Sequence, residues 1–121
     1  MATYKAPIDD MIFLFEKLRD NSNYNALEKY NEVNPDLAKD ILEQAAKLTE
    51  NLVLPLAKAG DENPTKLENG IVRTPPGYKE AYNKYIEDGW ISLSCDPKYG
   101  GQGMPKTVSA FFDEMMSSTS L

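Results

Sequence analysis

With 121 residues the chain is long enough for about one domain and one modest core, so a cofactor domain and a substrate domain do not both fit. Nineteen acidic against 13 basic residues give a formal charge of -6, which argues against nucleic acid or an anionic membrane as partner. The single cysteine excludes an internal disulfide framework and is typical of a reducing compartment, so we expect a cytoplasmic protein.

The amino-terminal part predicts one helix followed by less regular chain. The sequence does not open on a secretory signal pattern, and no stretch reaches the roughly 18 apolar residues of a membrane span. The first helix is predicted to begin after Pro7, with acidic residues in its first turn. Residues 19–23 predict a turn, and residues 26–30 predict a short helix. Apolar residues cover so much of the first helix that we expect partners on more than one side: Ile8, Met11, Ile12, Phe13, Leu14, Phe15 and Leu18.

The second helix has the clearest local signals. Asn34 can cap it, Pro35 suits its first position, and Asp36 lies in its first turn. Pro55 is expected to kink or thin this helix near Asn51, and the helix should end by Gly60. One stripe at helical spacing is predicted to be core: Leu37, Ile41, Ala45, Leu48, Leu52 and Leu56.

The second half of the chain predicts a hairpin and two more helices. Asn69-Gly70 is typical of a tight hairpin turn between short strands. A third helix is predicted to start at Thr74-Pro75 and to close at Gly89, with Tyr78, Ala81, Tyr82, Tyr85 and Ile86 on one face. A fourth should start at Pro105, reach at least Met116 and present the apolar residues Val108, Phe111, Phe112 and Met115. The predicted fold is all-α, an up-and-down or orthogonal bundle of four to five helices with a short hairpin-like excursion.

Several kinds of catalytic site are excluded by residue type. The chain contains no histidine, so triads with an imidazole base and the common zinc sites cannot form. Neighbouring carboxylates on a helix point in different directions, which indicates solvated surface for Asp9-Asp10, Asp61-Glu62 and Asp113-Glu114. We therefore assign no catalytic, cofactor-binding or metal-binding residue.

Residues 88–105 form the most distinctive segment, and two interpretations of it stay open. Glycines 100, 101 and 103 before a helix start, with Lys106 near, could cradle a phosphate. The alternative is a tight corner whose glycines let Trp90 and Tyr99 pack against helices.

Met115 and Met116 could contact a hydrophobic ligand, although core filling is the commoner role. Trp90 is interpreted as a core anchor and Cys95 as a small buried hydrophobe.

This segment also carries a resemblance. Gly89-Trp90, followed by Tyr99-Gly100-Gly101-Gln102-Gly103 and a nearby proline, resembles the amino-terminal helical domain of acyl-CoA dehydrogenases. The Asp96-Pro97 order departs from most of that family and is similar to its long bacterial subfamily. Three further stretches resemble the same subfamily in the same order, namely residues 4–13, Leu54-Pro55-Leu56 with Gly60-Asp61, and 69–78.

The resemblance implies a part of an FAD-dependent enzyme that converts an acyl-CoA to a 2-enoyl-CoA. In that family a glutamate removes the α proton and the β hydride passes to flavin, and both the glutamate and the flavin-binding β domain lie outside these 121 residues. FAD is thus expected in the parent enzyme and none on this chain. The region at and just beyond the last helix helps wall the acyl pocket in the family. Acyl-CoA is the implied substrate, and the parent is expected to be a homo-oligomer.

Two hypotheses follow, and they differ in class. The first is an acyl-CoA dehydrogenase amino-terminal domain spanning 1–121, with an extension helix region at 1–34 and core helices at 35–121. The second is a self-standing helical module that binds a protein partner or a lipid without catalysis. Residues 117–121 lack a glycine or asparagine helix stop and a basic last turn. We therefore expect an interrupted domain that is inactive alone.

Overall fold

The computed structural model describes residues 3–120 and confirms an all-α fold with one small hairpin. Three 3-10 turns connect the elements, at Glu28–Tyr30, Trp90–Ser92 and Pro97–Tyr99. The hairpin consists of β1 (Lys66–Glu68) and β2 (Ile71–Arg73). The α-helices of the described residues are α1 (Ile8–Lys17), α2 (Asn21–Asn25), α3 (Pro35–Leu48), α4 (Leu54–Glu62), α5 (Tyr78–Glu87) and α6 (Lys106–Thr119).

The starts of α1 and α3 are set as their sequences predict. α1 begins directly after Pro7, and the preceding Ala6 amide donates a hydrogen bond to Glu50 Oε1 at 2.7 Å, which ties the amino-terminal segment to the middle of the fold. Asn34 Oδ1 accepts from the Leu37 amide at 2.9 Å, and Pro35 occupies the first turn. Both helices therefore start beside a proline, which fixes φ, and α3 is also capped by the Asn34 side chain.

The core lies between α1, α3 and α6. Phe15 of α1, Leu42 of α3 and Met115 of α6 are all fully buried. The predicted core stripe is partly wrong, because Leu37 is 36% exposed and three other members are half-buried, namely Ile41, Leu52 and Leu56. α3 contacts both α1 and α6, and these two partners select a face rotated from the predicted one. The buried positions of that face are Ala38, Leu42, Ala45, Ala46, Leu48, Thr49 and Val53.

α3 and α4 are joined by one π-helical turn over Thr49–Val53. The Leu54 amide donates to the Thr49 carbonyl, five residues back, and the buried Thr49 hydroxyl donates to the Ala45 carbonyl at 3.0 Å. Pro55 has no amide hydrogen, so the helix is disturbed just before it, as predicted. α4 then runs to Glu62, two residues beyond the predicted end.

Besides the end of α4, two other boundaries differ from the prediction. The segment predicted as a turn at 19–23 contains the helix Asn21–Asn25, because Asp20 Oδ1 accepts from the Asn23 amide at 3.3 Å and caps it. The short helix predicted at 26–30 is present as the 3-10 turn at Glu28–Tyr30. α5 starts at Tyr78 and not at Thr74-Pro75, since Pro76 disfavours the helical conformation of the residue before it and Gly77 is left-handed at φ 86°. The hairpin turn at Asn69-Gly70 is confirmed, with φ values of 52° and 77°.

Candidate functional site

The glycine corner between Trp90 and α6 is held by its own backbone. Gly101 donates to Asp96 O at 3.1 Å, Gly103 to Cys95 O at 2.9 Å and Met104 to Leu93 O at 3.0 Å. The Gly100 and Gln102 amides donate likewise to the carbonyls of Pro97 and Ser92. All five consecutive amides of residues 100–104 are therefore engaged within the corner.

An anion cradle needs free amide donors, and this corner has none at residues 100–104. The side chains close the corner further. Gln102 Nε2 donates to the Gly89 carbonyl at 2.8 Å, and Lys106 Nζ donates to Ser94 Oγ at 2.7 Å. A Cβ at Gly101 would overlap the backbone of Cys95, so glycine is needed there for close approach. The geometry supports the interpretation of this segment as a packed corner.

The sequence assigned packing roles to three side chains of the corner, and the structure contradicts two of these assignments. Trp90 stacks on Phe112 with ring centroids 4.8 Å apart and is half-buried, which supports its role as an anchor. Tyr99 was predicted to pack against helices, but it is 80% exposed, with Lys98 Nζ 5.5 Å from its ring. Cys95 was predicted to be buried, but it is exposed.

The two methionines of α6 have separate roles. Met115 is fully buried in the core between α3 and α6. Met116, one position further, is half-buried and lines an open cleft between α4, α5 and α6. Of the two, only Met116 is positioned to meet a ligand.

The cleft that Met116 lines is the best candidate site in the described residues. It has a volume of about 350 Å³, within the range of small-molecule pockets. Its lining combines three phenol rings of α5 with apolar side chains such as Leu56 and Met116. Its walls are Val53, Leu56, Tyr78, Ala81, Tyr82, Tyr85, Met116 and Ser120.

Tyr78 lies at the border between this cleft and a second groove, of about 530 Å³, that runs along residues 117–120. The Tyr78 ring reaches across to α4, where Gly60 leaves room for its hydroxyl group. At the other end of α5, burial raises the pKa of Tyr85, and the charge of Asp113 adds to this. The hydroxyl group of Tyr85 thus keeps its hydrogen and can donate it to a ligand at neutral pH.

The sequence prediction placed these residues on helices but did not bring them together. Tyr78, Tyr82 and Tyr85 were predicted as one face of a helix and Leu56 as core. The available signal was the residue type, since three tyrosines on one face are typical of a half-wet surface and not of an aliphatic core. The three carboxylate pairs are all exposed, and residues 3–120 contain no cluster of three or more metal-ligating side chains.

The fold that surrounds the cleft is an all-α domain with a glycine corner of the kind the acyl-CoA dehydrogenase resemblance describes. No family model matches the chain. It is 38% identical over 119 residues to 3-methylmercaptopropionyl-CoA dehydrogenase of Ruegeria pomeroyi, covering 98% of this chain and 20% of that enzyme. It is 32% identical over 111 residues to the broad-specificity linear acyl-CoA dehydrogenase FadE5 of Mycobacterium tuberculosis, covering 89% of this chain and 18% of that enzyme.

The resemblance to acyl-CoA dehydrogenases is thus confirmed, because the chain is homologous to them along nearly its whole length. It spans about a fifth of the length of these curated relatives. Among residues 3–120, no helix combines the length and the apolar character that crossing a membrane requires.

Proposed function

We propose that this chain is the amino-terminal helical part of an FAD-dependent acyl-CoA dehydrogenase, an enzyme that oxidises an acyl-CoA thioester to the 2-enoyl-CoA. The 38% identity over 98% of the chain carries the proposal. It favours an enzyme part over a self-standing interaction or lipid-binding module, since an unrelated module would not retain similarity over nearly every element. Residues 1–34 are proposed as an extension region, although Met11 and Phe15 of this region share the core with residues 35–121.

The residues of this chain do not form a site that could bind the phosphate groups of FAD. The amides of the glycine corner donate internally, so they cannot cradle a pyrophosphate, and the charge of -6 opposes phosphate groups. FAD, which supplies the hydride acceptor when bound, is therefore proposed to be held elsewhere in the enzyme. We assign no catalytic, cofactor-binding or metal-binding residue to this chain and propose that alone it is inactive.

The role of this chain is proposed to be a wall for the acyl group. The cleft of Leu56, Tyr82 and Met116 lies beside the end of α6, the region that walls the acyl pocket in the family. Its mostly apolar lining suits an alkyl chain, and Met116 can adapt to the shape of the chain because its thioether is flexible. The parent enzyme is further proposed to be a homo-oligomer, since Phe13 and Leu18 of the α1 region are 57% and 73% exposed. We propose a cytoplasmic location because the single cysteine is typical of a reducing compartment.

The proposal is tested with a chimera in which this chain replaces the matched 119-residue stretch of the Ruegeria pomeroyi enzyme. We expect the chimera to retain flavin through gel filtration and to reduce a dye acceptor with 3-methylmercaptopropionyl-CoA or with linear acyl-CoAs. The isolated chain should be colourless and inactive. A chimera with Phe15→Asp, which places a charge in the core, is the negative control.

The acyl wall is tested in the same chimera with Met116→Trp, which narrows the cleft. This change should lower kcat/KM for long acyl chains at least about tenfold more than for short ones. Tyr99→Trp, at a position that is 80% exposed, is the matched control for an added indole. Equal losses for all chain lengths would contradict the wall, and an inactive, flavin-free unmodified chimera would contradict the proposed function.

A further inference from the structure

The Tyr78 ring spans the gap between the start of α5 and the end of α4. Tyr78 is the first residue of α5, and the far end of its ring lies so close to Gly60 that a Cβ there would overlap the hydroxyl group. One position earlier, a Cβ at Gly77 would lie 2.6 Å from Leu56 Cδ2, so the two helices are in close contact there as well. Close packing at two successive positions leaves the Tyr78 ring little freedom to move.

The ring separates two cavities that have different linings. The cleft that Met116 lines has a volume of about 350 Å³, and the groove along residues 117–120 has a volume of about 530 Å³. Of the described residues, Tyr78 and Ser120 line both cavities. The groove, unlike the cleft, is lined by a carboxylate, that of Asp61, and by several serine hydroxyl groups. The side chains that line the cleft alone are mostly apolar or aromatic, namely Val53, Leu56, Ala81, Tyr82, Tyr85 and Met116.

An alkyl chain is favoured on only one side of the Tyr78 ring. In the cleft each methylene group leaves water for a mostly apolar lining, and one methylene in such a pocket changes kcat/KM by about 10- to 200-fold. In the groove the same chain would displace water from the Asp61 carboxylate and the serine hydroxyl groups and offer them no hydrogen bond in return. An acyl group that is apolar to its end therefore fits as far as Tyr78 and not beyond it.

We infer that Tyr78 determines the longest acyl chain that the enzyme accepts, and that the accepted chains are alkyl groups without a polar end. The inference rests on the proposed function, because it adds a closed end to the acyl wall formed by Met116. Tyr78 takes no part in the chemistry and acts on specificity through the position of its ring. Removal of the ring should join the cleft to the groove, where a hydroxyl group at the end of a longer chain would find hydrogen-bond partners.

The Ruegeria pomeroyi chimera described above tests this role with a series of linear acyl-CoAs of increasing length. The readout is the chain length at which kcat/KM begins to fall. Tyr78→Ala should move this limit to longer chains and raise kcat/KM at least about tenfold for an acyl-CoA just beyond it whose last carbon carries a hydroxyl group. The methyl-ended acyl-CoA of the same length should gain less.

Three further variants make the comparison specific to the ring. Tyr78→Phe keeps the ring and should leave the limit unchanged. Tyr82→Ala is the matched control, because it removes the same side chain from a position that lines the cleft and not the groove. Tyr78→Leu shortens the side chain but keeps an apolar contact with α4, so it should also move the limit if Tyr78→Ala does not retain flavin.

The outcomes separate this inference from the proposed function. An active, flavin-loaded chimera whose limit stays in place with Tyr78→Ala and Tyr78→Leu, or moves equally with Tyr82→Ala, overturns the role of Tyr78 and leaves the function standing. An equal loss of kcat/KM at every chain length would show a purely structural role and overturns it too. A shift with Tyr78→Phe would assign the selectivity to the hydroxyl group instead of the ring. An unmodified chimera that binds no flavin overturns the proposed function and this inference with it.

Discussion

Gly101→Ala is expected to be among the most damaging single-methyl additions in the chain. The added Cβ would overlap the carbonyl carbon and oxygen of Cys95, which are backbone atoms and cannot rotate away. Either the peptide of Gly101 or that of Cys95 must move by about 1 Å to restore a normal contact. Such a movement would shift the chain before the corner relative to α6, which follows it.

The cost follows from the hydrogen bonds that such a movement breaks. The bonds from Gly101 to Asp96 at 3.1 Å and from Gly103 to Cys95 at 2.9 Å are the nearest to the overlap. At about 0.5–1.5 kcal/mol net for each bond, with part of the buried Leu93 side chain exposed in addition, the unfolding free energy should fall by about 2–4 kcal/mol. For a chain of this size that corresponds to a decrease in Tm of about 8–16 °C.

The neighbouring glycine provides the control for this experiment. Gly100 has φ 85° but open space around it, so Gly100→Ala should cost only the left-handed strain of about 1–2 kcal/mol. Gly100→Asn should recover part of that loss, because asparagine tolerates this conformation, whereas Gly101→Asn should recover nothing. Urea unfolding followed by circular dichroism measures all four variants. Equal costs at the two positions, or less than about 0.5 kcal/mol at Gly101, would refute the close approach to Cys95.

Three other expectations concern the aromatic residues. Trp90→Ala should lower the unfolding free energy by about 2–3 kcal/mol, below the range for a fully buried aromatic, since the indole is half-buried on Phe112; an unchanged melting curve would contradict the stacking. Gly60→Ala should destabilise the chain because its Cβ would overlap the Tyr78 hydroxyl, and Tyr78→Phe should partly rescue it; no rescue would place the clash elsewhere. Burial raises the pKa of Tyr85 above 10.0, so the unfolded chain loses the phenolic proton first, and the unfolding free energy should fall as pH rises through about 10. Tyr85→Phe should make the unfolding free energy less dependent on pH in this range, and an unaltered dependence would contradict the burial of the phenol.

The features that were predicted correctly are those that a few neighbouring residues determine. Asn34 with Pro35, Asn69-Gly70 and the closing glycine at Gly89 each fix a boundary through their own capping or φ preference. The end of α4 and the start of α2 were missed because a weaker local preference competes there. Asp20 caps α2 from a run of polar residues that resembles a turn equally well.

Features that depend on distant parts of the chain could not be predicted from the pattern. The buried face of α3 is decided by α1 and α6 together, and Leu37 and Ala38 are both apolar enough to satisfy a helical stripe. The exposure of Tyr99 and Cys95 follows from the path of the corner, which no spacing rule describes. The cleft is formed by residues of α4, α5, α6 and the segments next to them, which lie up to 67 positions apart, from Val53 to Ser120, so only the tertiary structure brings it together.

The π-helical turn at Thr49–Val53 determines which way the side chains of α4 face relative to those of α3. One extra residue in a turn rotates every later side chain by about 100° relative to an uninterrupted α-helix. Before the turn, Leu42 and Ala45 face the core; after it, Leu56 faces the cleft and Gly60 receives Tyr78. The number of residues in this turn therefore sets the angle between the surface that faces the core and the surface that faces the cleft. Deleting a single residue there would leave the composition of the helix almost intact and turn Leu56 and Gly60 away from α5.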